Sequence, residues 1–85
     1  MDEQTMAALA GVLDALLQME IERPDKQCSL ARLSKQAQRP MSVLRRQLTM
    51  LEEAGLVTLV LEEGGISGTV QLTPPGRELA HQLRA

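Results

Sequence analysis

No phenylalanine, tyrosine or tryptophan occurs anywhere in these 85 residues. Recognition by stacking bases on aromatic rings is therefore closed to the chain, which argues against a single-stranded nucleic-acid platform. The same lack leaves the core to be built from Leu, Val, Ile, Met and Ala. In so small a chain, a partner is a common way to bury what one core cannot. Cys28 is the only cysteine. It excludes an internal disulfide and a cysteine-rich zinc site, and it makes a reducing cytoplasm the expected compartment. No apolar run approaches the ~20 residues that a membrane-spanning helix needs. The acidic start, Met1-Asp2-Glu3, does not read as a secretory signal.

The net charge of −2 taken alone speaks against a polyanionic partner, but its distribution speaks for one. Residues 1–22 carry five acids and no base. Residues 23–46 carry seven bases (Arg23, Lys26, Arg32, Lys35, Arg39, Arg45, Arg46) against the single acid Asp25. Residues 47–85 carry five acids and two bases, Arg77 and Arg84. A basic segment on an acidic chain is the electrostatic footprint of a polyanion-binding surface; a merely solvated charged face is the competing reading.

Along the chain, residues 2–21 read as a helix capped by Asp2, with acids at its start that match the helix dipole. Met6, Leu9, Leu13, Leu16 and Leu17 form one apolar stripe, and Ala8, Val12, Ala15 and Met19 a second. A helix apolar on nearly all sides needs two surfaces to pack on, and the second is expected to be another subunit. Pro24 ends this helix within a polar connection. Ser29 caps a second helix, 29–37, whose inner face is Leu30, Leu33 and Ala37, with Arg32 and Lys35 outward. Gln38-Arg39-Pro40 is the turn into a third helix, 41–54. There Leu44, Leu48 and Leu51 face the core, and Ser42, Arg45, Arg46 and Thr49 lie opposite. Gly55 followed by Leu56 is a helix stop. Alternating Val57, Leu59 and Leu61, a glycine-rich loop, then Val70 and Leu72 predict a β-hairpin over 57–72. Thr73 and Pro74 open a last helix, 74–84, with a short apolar edge of Leu79 and Leu83. That helix is too short to stand alone and is expected to dock on the body or a partner.

The order helix, helix, turn, helix, hairpin, helix resembles a winged helix-turn-helix domain of bacterial transcription regulators, similar to the MarR, ArsR and PadR groupings. Three stretches carry the resemblance: LARLSKQAQRPMSVLRRQLTMLEEAGLV with its LxxLEEAGLV ending, GLVTLVLEEGGISGTVQLT as the wing, and LTPPGRELA after the second wing strand. The fold class expected is α+β, mostly α, a single winged helix-turn-helix domain over 1–85 with a three-helix core, a β-hairpin wing and a short C-terminal helix. The resemblance implies that helix 41–54 is the recognition helix in the major groove, with Ser42, Arg45, Arg46 and Thr49 reaching bases and flanking phosphates. It further implies phosphate contacts from Ser29, Lys35 and Arg39. In many such regulators the wing carries a basic residue for the minor groove. Here it offers Glu62, Glu63, Gly64, Gly65, Ile66 and Ser67, and no Lys or Arg lies between Gln47 and Pro75. Little affinity is expected from it.

No catalytic constellation can be assembled, so the chain does not read as an enzyme, and no cofactor or metal is expected. His81, the single histidine, falls on the polar side of the last helix. Cys28 reads as a structural thiol, with redox sensing through a nearby Lys26 as the lesser alternative. Glu52-Glu53 and Glu62-Glu63 are sequence neighbours whose side chains diverge, so they read as solvated charges. The function expected is sequence-specific binding of double-stranded DNA by a small dimeric transcriptional regulator, in the cytoplasm and away from membranes. Dimerisation is expected through helix 2–21, with the C-terminal helix as a candidate second contributor. A winged-helix protein–protein interaction module without DNA binding is the alternative, favoured by the overall acidity.

Overall fold

The computed structural model describes residues 2–62 and 67–84. Four helices, α1 (Glu3–Glu22), α2 (Leu30–Ala37), α3 (Met41–Glu53) and α4 (Pro74–Arg84), surround a small sheet. Strand β1 is Cys28–Ser29, β2 is Val57–Leu61 and β3 is Gly68–Leu72. The sheet order is β1-β3-β2 and both pairings are antiparallel. The hairpin register sets Val57 opposite Leu72, Leu59 opposite Val70 and Leu61 opposite Gly68. The fold is α+β and mostly helical: a three-helix core, a β-hairpin wing and a short C-terminal helix.

The helix boundaries have local causes. Asp2 caps α1 by accepting the Thr5 N–H at 2.7 Å. That bond holds the Asp2 carboxyl below its ordinary range, because it favours the charged form. Ser29 caps α2 by accepting the Arg32 N–H at 3.2 Å. Gln38 ends α2 in the left-handed region, φ 56°. At the end of α3, the Gly55 N–H reaches the Glu52 carbonyl at 2.9 Å and the Leu56 N–H reaches the Leu51 carbonyl at 3.0 Å. Those two bonds form a Schellman motif, whose left-handed position Gly55 fills at φ 78°.

The core is aliphatic throughout. Val12, Leu30, Leu33, Leu44 and Leu48 have no accessible surface, and Leu13, Leu16, Leu17, Leu51, Val57 and Val70 almost none. Both apolar stripes of α1 are largely consumed inside one chain, since Val12, Ala15 and Met19 are buried as well as Leu9, Leu13, Leu16 and Leu17. The second stripe therefore does not require another subunit: α1 packs on α2 and α3, on the sheet and on α4. What α1 leaves outside is Met6, 59% exposed, and Ile21. Leu61 also departs from the alternation that predicted it inward. It is exposed, as is Val60, because the wing runs out beyond the helices at that end.

Helix α4 docks on α1, tied by two ion pairs, and on the segment that follows α3. Ala80 is buried, and Gly76 presses on the backbone of Leu56. Arg77 reaches Glu20 through Nε at 2.5 Å and Nη2 at 3.2 Å. Arg84 reaches Asp14 at 2.5 Å and the Gln18 side-chain oxygen at 2.6 Å. Thr73 ties the start of α4 to the end of α3: its hydroxyl donates to the Gly55 carbonyl at 2.7 Å and accepts the Gly76 N–H at 3.1 Å.

Candidate nucleic-acid interface

Leu44, Leu48 and Leu51 point α3 into the core, and that rotation fixes what the helix shows to solvent. Ser42, Arg46 and Thr49 are exposed and Arg45 is half-buried. Among the described residues neither Arg45 nor Arg46 is engaged in an ion pair. No acid occurs on α3 before Glu52, so the first three turns of this face carry only positive charge. The Thr49 hydroxyl is already donated to the Arg45 carbonyl at 2.9 Å; its lone pairs remain free to accept. Ser29 and Lys35 sit at opposite ends of α2, Ser29 accepting the Arg32 N–H through its hydroxyl oxygen and Lys35 exposed.

Arg39 stands apart from this set. Its guanidinium turns inward, donating to the Ala8 carbonyl at 2.7 Å and to the Gln47 side-chain oxygen at 3.0 Å. It lies directly over Gly11, where no side chain intervenes. One side chain thus joins α1, the turn and α3. No pattern of spacing announces that role, since the acceptors are a main-chain carbonyl 31 residues away and a neutral amide.

The described base of the wing is acidic and self-satisfied. The Ser67 hydroxyl donates to Glu62 at 2.8 Å, and the Glu62 N–H reaches the Ser67 carbonyl at 2.9 Å. Glu63, Gly64, Gly65 and Ile66, which complete the wing loop, lie outside the described residues. Glu52 is more than a solvated charge: its carboxylate accepts the Leu59 N–H of edge strand β2 at 3.3 Å. Cys28 is half-buried, its thiol directed at the Met19 sulfur at 3.5 Å. Burial pushes that thiol up to about 11, with Arg32 pulling weakly the other way. A redox sensor needs the opposite shift. Among the described residues no three His, Cys, Asp or Glu side chains converge to hold a metal, and no helix is long and apolar enough to cross a membrane.

A protein of known structure from Ralstonia eutropha JMP134, provisionally described as DNA-binding, is 41% identical over 100% of this chain and 99% of its own, with a TM-score of 0.84. The chain belongs to the winged helix-turn-helix regulator family of MarR, ArsR and PadR type. A MarR family transcriptional regulator from Silicibacter pomeroyi DSS-3 is 27% identical over 91% of this chain and 50% of its own, with a TM-score of 0.68. Bordetella bronchiseptica BpsR, whose DNA binding is regulated by 6-hydroxynicotinic acid, shares the fold at 24% identity over 99% of this chain and 61% of its own, with a TM-score of 0.73. No family model and no curated protein sequence matches the chain. Membership of a family of DNA-binding transcription regulators sets the chain apart from enzymes.

Proposed function

We propose that the chain is a dimeric transcription regulator that binds duplex DNA sequence-specifically, with α3 in the major groove. The observation that carries this reading is the outward face of α3, where Arg45 and Arg46 stand unpaired beside Ser42 and Thr49 on a helix held rigid by three buried leucines. An arginine fork suits both the O6 and N7 acceptors of guanine and a phosphate. Lys35 and the Ser29 hydroxyl would position the duplex through its backbone. Arg39 is assigned to the fold rather than to DNA, because its guanidinium already serves Ala8 and Gln47.

The dimer reading rests on an apolar groove of ≈ 250 Å³ between α1, the end of α3 and α4. Met6 and Leu83 stand at its rim, 59% and 51% exposed, over Leu9, Leu13 and Leu79. Reading a duplex with two recognition helices requires a dimer that sets them about one helical turn, roughly 34 Å, apart. Titration of labelled duplex, both a random-sequence pool and the site enriched from that pool by wild type, at two salt concentrations tests the proposal, with wild type and Arg45→Ala/Arg46→Ala side by side. Steep salt dependence and a large loss in the variant are expected. If wild type has no duplex affinity even at low salt, the chain is instead a protein–protein interaction module. The acidic, cation-free stretch from Glu52 through the wing favours that second reading.

A further inference from the structure

Three cations of the basic segment have no part in the surface described above: Arg23, Lys26 and Arg32. The fold brings them together. The Lys26 N–H bonds to the Arg23 carbonyl at 3.2 Å, closing a tight turn with Pro24 at its second position, where a fixed φ favours it. That turn sets Arg23 and Lys26 side by side. Arg32 joins them from the first turn of α2, directly after the Ser29 cap. All three line one open cleft of ≈ 250 Å³, with the amides of Gln27 and Gln36 beside them. All three are exposed, and among the described residues none makes an ion pair or a side-chain hydrogen bond. The one acid in the lining, Glu22, is turned to the Gln18 amide at 2.9 Å. Asp25 lines the cleft on the other side of the turn.

We propose that Arg23, Lys26 and Arg32 form a phosphate-binding cradle at the α1–α2 connection, occupied by a backbone phosphodiester of the duplex outside the reach of α3. The proposal rests on the DNA-binding reading for its occupant. The chemistry rests on the cleft itself. Two guanidinium forks and one ammonium surround a space with room for a tetrahedral anion, and the glutamine amides add neutral donors. No base-reading geometry is present here, so the cradle adds affinity and register rather than sequence preference.

The test compares wild type with Arg23→Gln/Lys26→Gln/Arg32→Gln, a variant whose exposed, unpaired positions leave the fold intact and whose thermal midpoint checks that. On duplex DNA the logarithmic salt slope is expected to shrink by about one, the value for one phosphate, so that the affinity gap between the proteins narrows roughly three- to fourfold from 50 to 200 mM salt. The ratio of specific to random-sequence affinity stays unchanged. Equal affinity and slope for the two proteins would overturn the cradle while leaving the DNA reading standing. If wild type binds no duplex at all, the DNA reading fails and the second arm decides the cradle. Inorganic phosphate is titrated into the free protein, and backbone amide shifts are followed in residues 23–26 and 32. Shifts in wild type that are absent in the variant keep the phosphate site with a small anion as its ligand; no shifts in wild type remove it.

Discussion

Gly76 lies against the carbonyl of Leu56 so closely that no β-carbon fits between them. The same carbonyl accepts the Thr73 N–H at 3.0 Å, so it cannot retreat without losing that bond. Gly76→Ala is therefore expected to destabilise the domain by about 2–3 kcal/mol, the cost of forcing backbone apart in a packed site. Urea denaturation followed by circular dichroism measures it. A loss below half a unit would mean that α4 is not seated as described.

Arg39 predicts a loss of a different kind. Arg39→Ala removes two hydrogen bonds from a charged donor and is expected to cost about 1–2 kcal/mol. Arg39→Lys should recover only part of it: both bonds leave the one nitrogen Nη1, which an ammonium can imitate, but lysine lacks the planar guanidinium that lies over Gly11. Equilibrium unfolding of the two variants distinguishes this staple from a generic charge effect, which lysine would rescue fully.

The fold class was legible because the helices obey simple periodicity: Leu44, Leu48 and Leu51 can satisfy only one rotation of α3. The stops were legible for the same local reason, as at Gly55 and Leu56. Sequence reasoning fell short where a side chain acts over a long separation. Arg39 carries the same charge as Arg45 and Arg46, and nothing local says that its partner is the Ala8 carbonyl. The two stripes of α1 were legible as apolar surface, but not how that surface is shared: α4 returns from the far end of the chain to cover part of it, leaving Met6 at the rim of the remaining groove. Arg23 and Lys26 were visible only as charges in a loop until the turn at Pro24 showed them converging with Arg32.

Cys28 predicts a pH dependence with a definite sign. Its thiol is pushed up to about 11 in the folded chain from an ordinary 9.0, so the unfolded state releases the proton first. Its contribution to stability is complete below pH 9 and is lost as pH rises from about 9 to about 11. At pH 8 the native thiol should alkylate roughly a hundredfold more slowly than the same thiol in urea, because so much less thiolate is present. Equal rates would show that the Met19 contact does not shield it.

The Glu20–Arg77 pair is partly open to solvent, with side chains 34% and 41% exposed. A double-mutant cycle through Glu20→Gln and Arg77→Gln is expected to return a coupling of about 0.5–1 kcal/mol, shrinking in 1 M salt. Glu20 holds the Arg77 guanidinium above its ordinary value, which agrees in direction. Both side chains are about a third or more exposed, so solvent screening makes the modest figure the appropriate one.

Met6→Glu/Leu83→Glu places carboxylates at the rim of the apolar groove without touching the buried core. Sedimentation equilibrium at micromolar concentration should show a dimer for wild type and a monomer for the variant. A monomeric wild type would remove the dimer and leave the groove unexplained.

Internal pairing also sets a ceiling on how strongly this chain can depend on salt. Of its nine lysines and arginines, Arg39, Arg77 and Arg84 are committed to holding elements together. Six remain to displace counterions from a duplex. At about 0.9 counterion per neutralised phosphate, the logarithmic salt slope per protomer should not exceed roughly five. A steeper slope would mean that DNA binding prises one of the structural arginines from its partner, making recognition and local unfolding a single event.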